Sequence, residues 1–324
     1  MYNGGFAYFS AMRFTGTFSV LLLSSLIASA QQDPQFSQYQ DYSPYINPSF
    51  MVNDHALNVD IQHRQQWVGF PGRPISTVAN ASYEVKKAYS AFGITYMHDK
   101  LGAQTAHNAR LNYAGAIRFK GHTIAPGIYF GLLANHLDGS QLNPIQSGDQ
   151  NIITNNQGGF AFDIGLGLSY RFKGLVVGFS ANHLADPKME YAEGGNVSEV
   201  TIARHYYGLG RYDFQFGRMF RLKPLTAIKT DGASAQIDQW LWFGFDNLTK
   251  YFNRVNIGVG YRIDDAVMVA GEVVFKWFRL GYSYDITTSG LNAYSNGSHE
   301  ITLRMHLFPV TSQGALRKPD GGLE

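Results

Sequence analysis

The sequence contains no cysteine, which excludes a disulfide framework, a thiol nucleophile and any thiolate metal site. Beyond residue 30 it also lacks a long apolar run, and its mean hydropathy is −0.17. A membrane-spanning helix needs about 20 consecutive apolar residues, so none is expected. Charge is scarce: 15% of residues are charged and the net charge is +2. Composition therefore gives no case for nucleic acid or for an acidic partner. HExxH, GxSxG and a phosphate-binding Gly-Lys loop are all missing, and the ten histidines are scattered without ligand spacing. No cofactor, metal or catalytic set is expected, and the chain does not read as an enzyme. Asp138, Asn143 and Asp149 have oxygen ligands suited to calcium, but ordinary loop composition explains them as well.

What the chain does have is glycine, 35 residues, and aromatics at 15%. It also has alternation. Near the C-terminus Val255, Ile257, Val259 and Tyr261 alternate with Arg254, Asn256, Gly258, Gly260 and Arg262. Phe278, Leu280, Tyr282 and Tyr284 alternate with Arg279, Gly281, Ser283 and Asp285, and Ile301, Leu303, Met305 and Leu307 with Glu300, Thr302, Arg304 and His306. A period of two puts each set on one side of a strand. One face is apolar and the other carries Arg, Asp, Glu and Gly, which suits lipid outside and a wet lumen inside. The reading is all-β: a transmembrane, antiparallel, up-and-down barrel.

Alternation predicts about fourteen strands: 56–66, 76–86, 90–98, 104–118, 122–134, 159–171, 174–183, 203–215, 220–230, 234–246, 251–262, 265–275, 276–285 and 298–308. If the first runs outward, the connections at its far end include 67–75, 135–158, 184–202 and 286–297, whereas those at the near end are uniformly short. Two near-end turns repeat Arg-Phe-Lys-Gly, at 118–121 and 171–174. Short periplasmic turns and longer extracellular loops are the asymmetry of outer-membrane barrels.

The start of the chain has Arg13, an apolar run from Phe18 to Ala28, and Ala28-Ser29-Ala30. This is a secretory signal with a small-x-small cleavage site. The expected order is a signal peptide at 1–30, a non-strand extension at 31–55, a barrel at 56–308 and a polar periplasmic tail at 309–324. The protein is expected to be exported and integral to the outer membrane, in contact with its lipid. The extension has Pro34, Pro44 and Pro48, which disfavour sheet, and is too aromatic for a solvated tail. Its Phe36, Tyr39, Tyr42, Tyr45 and Phe50 are candidates for a plug inside the barrel or a periplasmic contact beneath it. A fourteen-stranded lumen is too wide for wall side chains alone to fill, so it is plugged or it conducts.

Between the first two strands, Arg64, Trp67, Gly69, Phe70, Gly72, Arg73 and Pro74 have the make-up of a partner-binding hot spot. The competing reading puts Trp67 and Phe70 in an aromatic girdle and Arg64 in a luminal ion pair. Ser180 and Asn182 alternate to one face and His183 to the other, which argues against a shared catalytic site and for a girdle or structural histidine.

Several stretches resemble the PorP/SprF family of outer-membrane proteins of the type IX secretion and gliding machinery. They are Asp33-Pro34-Gln35-Phe36-Ser37-Gln38-Tyr39, Tyr45-Ile46-Asn47-Pro48, Arg64-x-x-Trp67-x-Gly69-Phe70-x-Gly72-x-Pro74-x-x-Thr77 and Asn182-His183-Leu184. Near the end come Leu280-Gly281-Tyr282-Ser283-Tyr284-Asp285 and Gly297-Ser298-His299-Glu300-Ile301. The resemblance implies a non-enzymatic barrel that works with periplasmic and outer-membrane secretion components. It also implies a large, adhesin-like secreted surface protein as partner, bound through its C-terminal domain for export or anchoring. It tilts the 64–74 stretch towards partner binding, with Arg64 and Trp67 as anchors. The alternative from the fold is a passive diffusion channel or hydrophobic-solute transporter.

Overall fold

The computed structural model describes residues 33–39, 43–53, 55–142, 156–193, 196–247 and 252–309. The expected signal segment, Tyr42, Asn143, Asp149 and the tail beyond Pro309 lie outside them. The first strands are β1 (His55–Gln65), β2 (Ile75–Val85), β3 (Ser90–Leu101), β4 (Gln104–Gly115), β5 (Ile117–Phe119) and β6 (His122–Asp138). Next come β7 (Asn156–Phe172), β8 (Leu175–Asn182), β9 (Lys188–Glu193), β10 (Asn196–Thr201), β11 (His205–Tyr212) and β12 (Phe214–Phe216). The last are β13 (Phe220–Thr230), β14 (Ala235–Asp246), β15 (Arg254–Arg262), β16 (Ala266–Val274), β17 (Phe278–Thr287) and β18 (Ser298–Pro309).

Fourteen of these close into one antiparallel barrel. Each pairs with its neighbour in sequence, and β1 closes the ring on β18, with Ile61 opposite Leu303 and Arg64 opposite Glu300. The short β5 and β12 extend hairpins at one end, and β9 and β10 form a separate hairpin inside the connection from β8 to β11. All fourteen expected strands are present, with ends moved by a few residues. The β9–β10 hairpin was not anticipated: it lies in a stretch that reads as loop.

The two faces separate as alternation requires. Ile257, Val259 and Tyr261 point outward and are 46–50% exposed, while Asn256 and Arg262 are buried inside. On β18 Ile301, Leu303 and Met305 face out against buried Glu300, Thr302 and Arg304. Among the described residues no helix is long and apolar enough to cross a membrane; the crossing is made by strands, whose backbone groups are satisfied by closure. The short-turn end carries an aromatic girdle. His122 stacks on Phe172 at 4.0 Å and on Phe119 at 5.0 Å, and Phe275 stacks on Phe278 at 4.3 Å. Such belts mark the membrane–water interface.

Candidate functional site

The lumen holds the chain's own residues 33–39 and 43–53. Asp33 sits at the long-loop end, among the end of β8, the start of β11 and the end of β13. The segment then descends to Val52, whose carbonyl accepts from Arg171 Nη2 at 2.8 Å near the short β7–β8 turn. Its described residues contain no strand. They form a 3-10 turn, Pro48–Met51, capped by the Asn47 side chain, which accepts from the Ser49 amide. Phe36, Tyr39, Tyr45 and Phe50 are buried against the lumen wall.

Three clusters hold the segment. The first surrounds Asp33. Its carboxylate accepts from Tyr207 Oη at 2.6 Å and lies 3.0 Å from His183 Nε2, and its amide donates to His205 Nε2 at 3.1 Å. Lys229 Nζ donates to its carbonyl. The other ring nitrogen of His183 lies 3.0 Å from Asp163 Oδ2, and Tyr129 Oη donates to that same oxygen at 3.0 Å. Arg110 donates to the Tyr45 carbonyl at 2.7 Å and lies over the Tyr45 and Tyr129 rings at 4.5 and 4.1 Å, a desolvated cation–π arrangement. Burial alone would raise the Asp33 pKa, but His183, His205 and Lys229 hold it well below the usual carboxylate range. Burial would lower the His183 pKa, yet Asp33 and Asp163 push it up to about 9.

Asp33, His183 and His205 bring three potential metal-ligand atoms within 4.8 Å of one another. Linear spacing gives no hint of this, because the residues are far apart in sequence. Their chemistry nevertheless suits a lock more than a metal centre. His205 Nε2 already accepts the Asp33 amide, Asp33 is bonded on both oxygens, and the Lys229 side chain adjoins the cluster.

The second cluster is a buried chain of alternating charge on five strands: Asp238, Arg262, Asp285, Arg64 and Glu300. Arg262 lies 2.9 Å from both Asp238 and Asp285, and Arg64 lies 2.7 Å from Asp285 and 3.3 Å from Glu300. The segment completes it. Glu300 accepts the amides of Ser37 and Gln38 at 2.7 and 2.8 Å, Ser37 Oγ donates to Asp285 at 2.8 Å, and Arg304 donates to the Gln38 carbonyl at 2.7 Å.

The third cluster is a seat cut for the 3-10 turn. Asn47 Nδ2 donates to the Phe179 carbonyl at 3.0 Å, and Ser180 Oγ to the Ile46 carbonyl at 2.7 Å. A side chain at Gly127 would meet the Ser49 amide at 2.5 Å, one at Gly178 the Phe50 ring at 2.5 Å, and one at Gly167 the Asn47 amide group. The wall has glycine where the segment presses closest.

These contacts correct one expectation. His183 is not on the outward face: it follows β8 with φ of +59° and turns into the lumen. A left-handed residue breaks the period of two, so alternation ceases to predict direction there. Ser180 and Asn182 are bonded instead to the carbonyls of Ile46 and Tyr45.

The structure divides the seven residues of the 64–74 stretch. Arg64 is 1% exposed and belongs to the luminal charge chain, so it is not available on the rim. The other six lie in the long-loop connection between β1 and β2. Trp67 has φ of +51° and its amide donates to Ser298 Oγ at 3.1 Å. Val68 exchanges backbone bonds with Asn296 and Gly297 at 2.7 and 2.8 Å, and Gly72 accepts from the Gly102 amide at 2.9 Å. The connection is stitched to its two neighbouring loops, with Gly69 and Gly72 supplying the positive φ it needs. Phe70 is exposed at its tip, and Arg73 and Pro74 are half-buried behind it.

Comparison with known proteins follows from this geometry. No curated protein matches the sequence. Among solved structures the chain is similar to the CymD monoaromatic hydrocarbon channel, at 10% identity and TM-score 0.49, covering 88% of this chain and 96% of that one. It is also similar to the Ralstonia pickettii toluene transporter TbuX, at 9% identity and TM-score 0.47, covering 82% and 94%. The KdgM porin matches at 11% identity and TM-score 0.36, over 77% of this chain and 99% of that one. The model of the type IX secretion system membrane protein PorP/SprF matches residues 28–305, nearly the whole chain. This protein is an outer-membrane barrel that belongs to the PorP/SprF family of type IX secretion membrane proteins.

Proposed function

We propose that this barrel is a non-enzymatic docking protein of the type IX machinery. It binds the C-terminal domain of a large secreted, adhesin-like surface protein and helps to export it or hold it at the cell surface. Family and fold are those of secretion and porin-like proteins rather than of enzymes. The observation that carries the reading is the filled lumen: residues 33–39 and 43–53 are hydrogen-bonded to strands around the wall, which disfavours free diffusion and leaves the long-loop rim as the surface open to a partner. On that rim the connection bearing Trp67, Gly69, Phe70, Gly72, Arg73 and Pro74 is rigid, with an exposed aromatic at its tip. A preorganised aromatic contact loses little entropy on binding. Residues 33–39 and 43–53 act as the plug, with Phe36, Tyr39, Tyr45 and Phe50 as its aromatic packing, and residues 1–30 are removed on export.

The channel alternative requires the segment to leave. That breaks the buried Asp33–His183 contact and the charged hydrogen bonds that Glu300, Asp285 and Arg304 make to Ser37 and Gln38. Each costs on the order of 1.5–3 kcal/mol to lose. A mild-detergent pull-down of the tagged protein from its own outer membrane, read by mass spectrometry, tests the docking reading. A very large surface protein recovered in near-equal amount supports it. Recovery of the barrel without such a protein, together with solute uptake that depends on it, would overturn it.

A further inference from the structure

Five of the ten histidines face outward in two adjacent rows at the long-loop end of one side of the barrel. Register puts His63, Thr77, His98 and His107 directly opposite one another across β1 to β4. One row further out, His299, Gln65, Ile75, Lys100, Thr105 and His136 run across β18 to β6. Neither row carries a carboxylate on this side. Alternating neighbours such as Met97 and Asn108 are buried inside, so these side chains face the membrane interface. The His98 and His107 rings are 5.1 Å apart, and His107 Nδ1 pairs with Tyr96 Oη at 2.7 Å. His63 is engaged at both ring nitrogens, by Thr77 Oγ1 at 2.9 Å and Gln65 Nε2 at 3.4 Å, so His98 and the Nε2 of His107 are the imidazole groups turned to a ligand.

A groove begins immediately beneath these rows. The next outward row is Ile61, Ala79, Tyr96 and Ala109, then Val59, Ala81, Ile94 and Leu111. On β2 the two alanines leave a trough between the larger side chains of β1 and β3. Its upper hollow is about 390 Å³, and a second of about 480 Å³ continues down to Tyr83 and Phe92. From Ala79 to Tyr83 is about 13 Å at 3.3 Å per residue. With a strand tilt of about 40° the trough spans about 10 Å of depth, within one leaflet of a hydrocarbon core of about 30 Å.

We propose that this face is a binding site for a phosphorylated, acylated lipid of the outer leaflet. Lys100, His98 and His107 receive the phosphate, and the alanine trough receives one acyl chain. A head of one lysine ammonium and imidazole N–H donors over an apolar trough matches both ends of such a molecule. A partner helix or a second barrel would need the apolar trough but not the acid-free basic head. The site faces lipid, not the rim loop, so it stands apart from the docking reading.

Native mass spectrometry of the protein purified in mild detergent from its own outer membrane tests this. Wild type is expected to retain one phosphorylated lipid per barrel. Ala79→Phe/Ala81→Phe fills the trough, and His98→Ala/Lys100→Ala/His107→Ala removes the head. Each set should reduce retained lipid at least fivefold, while Val259→Phe, on a distant outward face, should not. Unchanged heat-shifted migration on gels would confirm that all variants are folded. Equal lipid on wild type and both variant sets, no phosphorylated lipid on wild type, or a lipid-free dimer lost on filling the trough would each overturn the proposal.

Discussion

Glu300, on the last strand of the wall, accepts the backbone amide of Ser37 at 2.7 Å across a separation of 263 residues. Its other oxygen takes the next amide, from Gln38. One carboxylate thus fixes two consecutive peptide units of the luminal segment, while Arg64 and Gln62 hold it from the adjoining strand. The wall is shaped and charged for this occupant.

Glu300→Ala should therefore cost about 3–5 kcal/mol, because it leaves Arg64 short of a partner and strands buried N–H donors. The expected outcome is a fall in the temperature at which the barrel loses its compact gel migration. Replacing Arg64 and Glu300 together by leucine should cost less than the two single changes summed, since no unpaired charge remains at that contact. Strict additivity would mean that the pair is not coupled.

Gly167→Leu and Gly127→Leu should unseat the 3-10 turn, because each places side-chain atoms where Asn47 or Ser49 now lies. The barrel should still insert but show stable conductance steps in planar bilayers. Gly271→Leu, where an added side chain meets open space, should behave as wild type. Silent bilayers from both seat variants would show that the segment is held without the seat.

The Asp33–His183 contact gives attachment a pH window. His183 is raised from 6.5 to about 9, so its contribution is fully present below pH 6.5 and fades as pH rises through about 9. Asp33 is lowered from 3.8, so its contribution is present above 3.8 and fades as the solution becomes more acid. Thermal stability should fall by on the order of 3 kcal/mol between pH 6.5 and 10, and His183→Gln should flatten that limb. A His183→Gln profile as steep as wild type would place the alkaline limb elsewhere.

Trp67→Ala and Phe70→Ala should leave insertion and the bilayer record unchanged while weakening retention of the surface protein at least tenfold, the scale of an interface hot spot. Cell-surface display of that protein checks it. Normal display with both changes made together would move the docking surface off this connection.

The barrel was legible because on its clearest strands, β1, β15, β17 and β18, an apolar outward row alternates with a polar or glycine inward row, so a period of two shows in the sequence. Extending the first strand's row from Asn58, Asp60 and Gln62 by one step also carries Arg64 inside, whereas the hot-spot composition around Trp67 pulls it outward. The meeting of Asp33 with His183 and His205 was not legible: it depends on a single left-handed residue and on barrel closure, neither of which leaves a local trace. Most of the stretches that carry the family resemblance converge in the lumen. Ser37, Gln38, Arg64, Asp285 and Glu300 form one cluster, Asp33 and His183 another, and Asn47 and Pro48 the turn in its seat. Those motifs therefore encode the seating of the segment more than a rim surface.

Single-channel recording of the purified mature protein in planar bilayers at neutral pH tests the filled lumen most directly. The account predicts no stable conductance steps from wild type and clear steps once Gly167→Leu unseats the segment. Wild-type steps of the size expected from an open fourteen-stranded pore would contradict it.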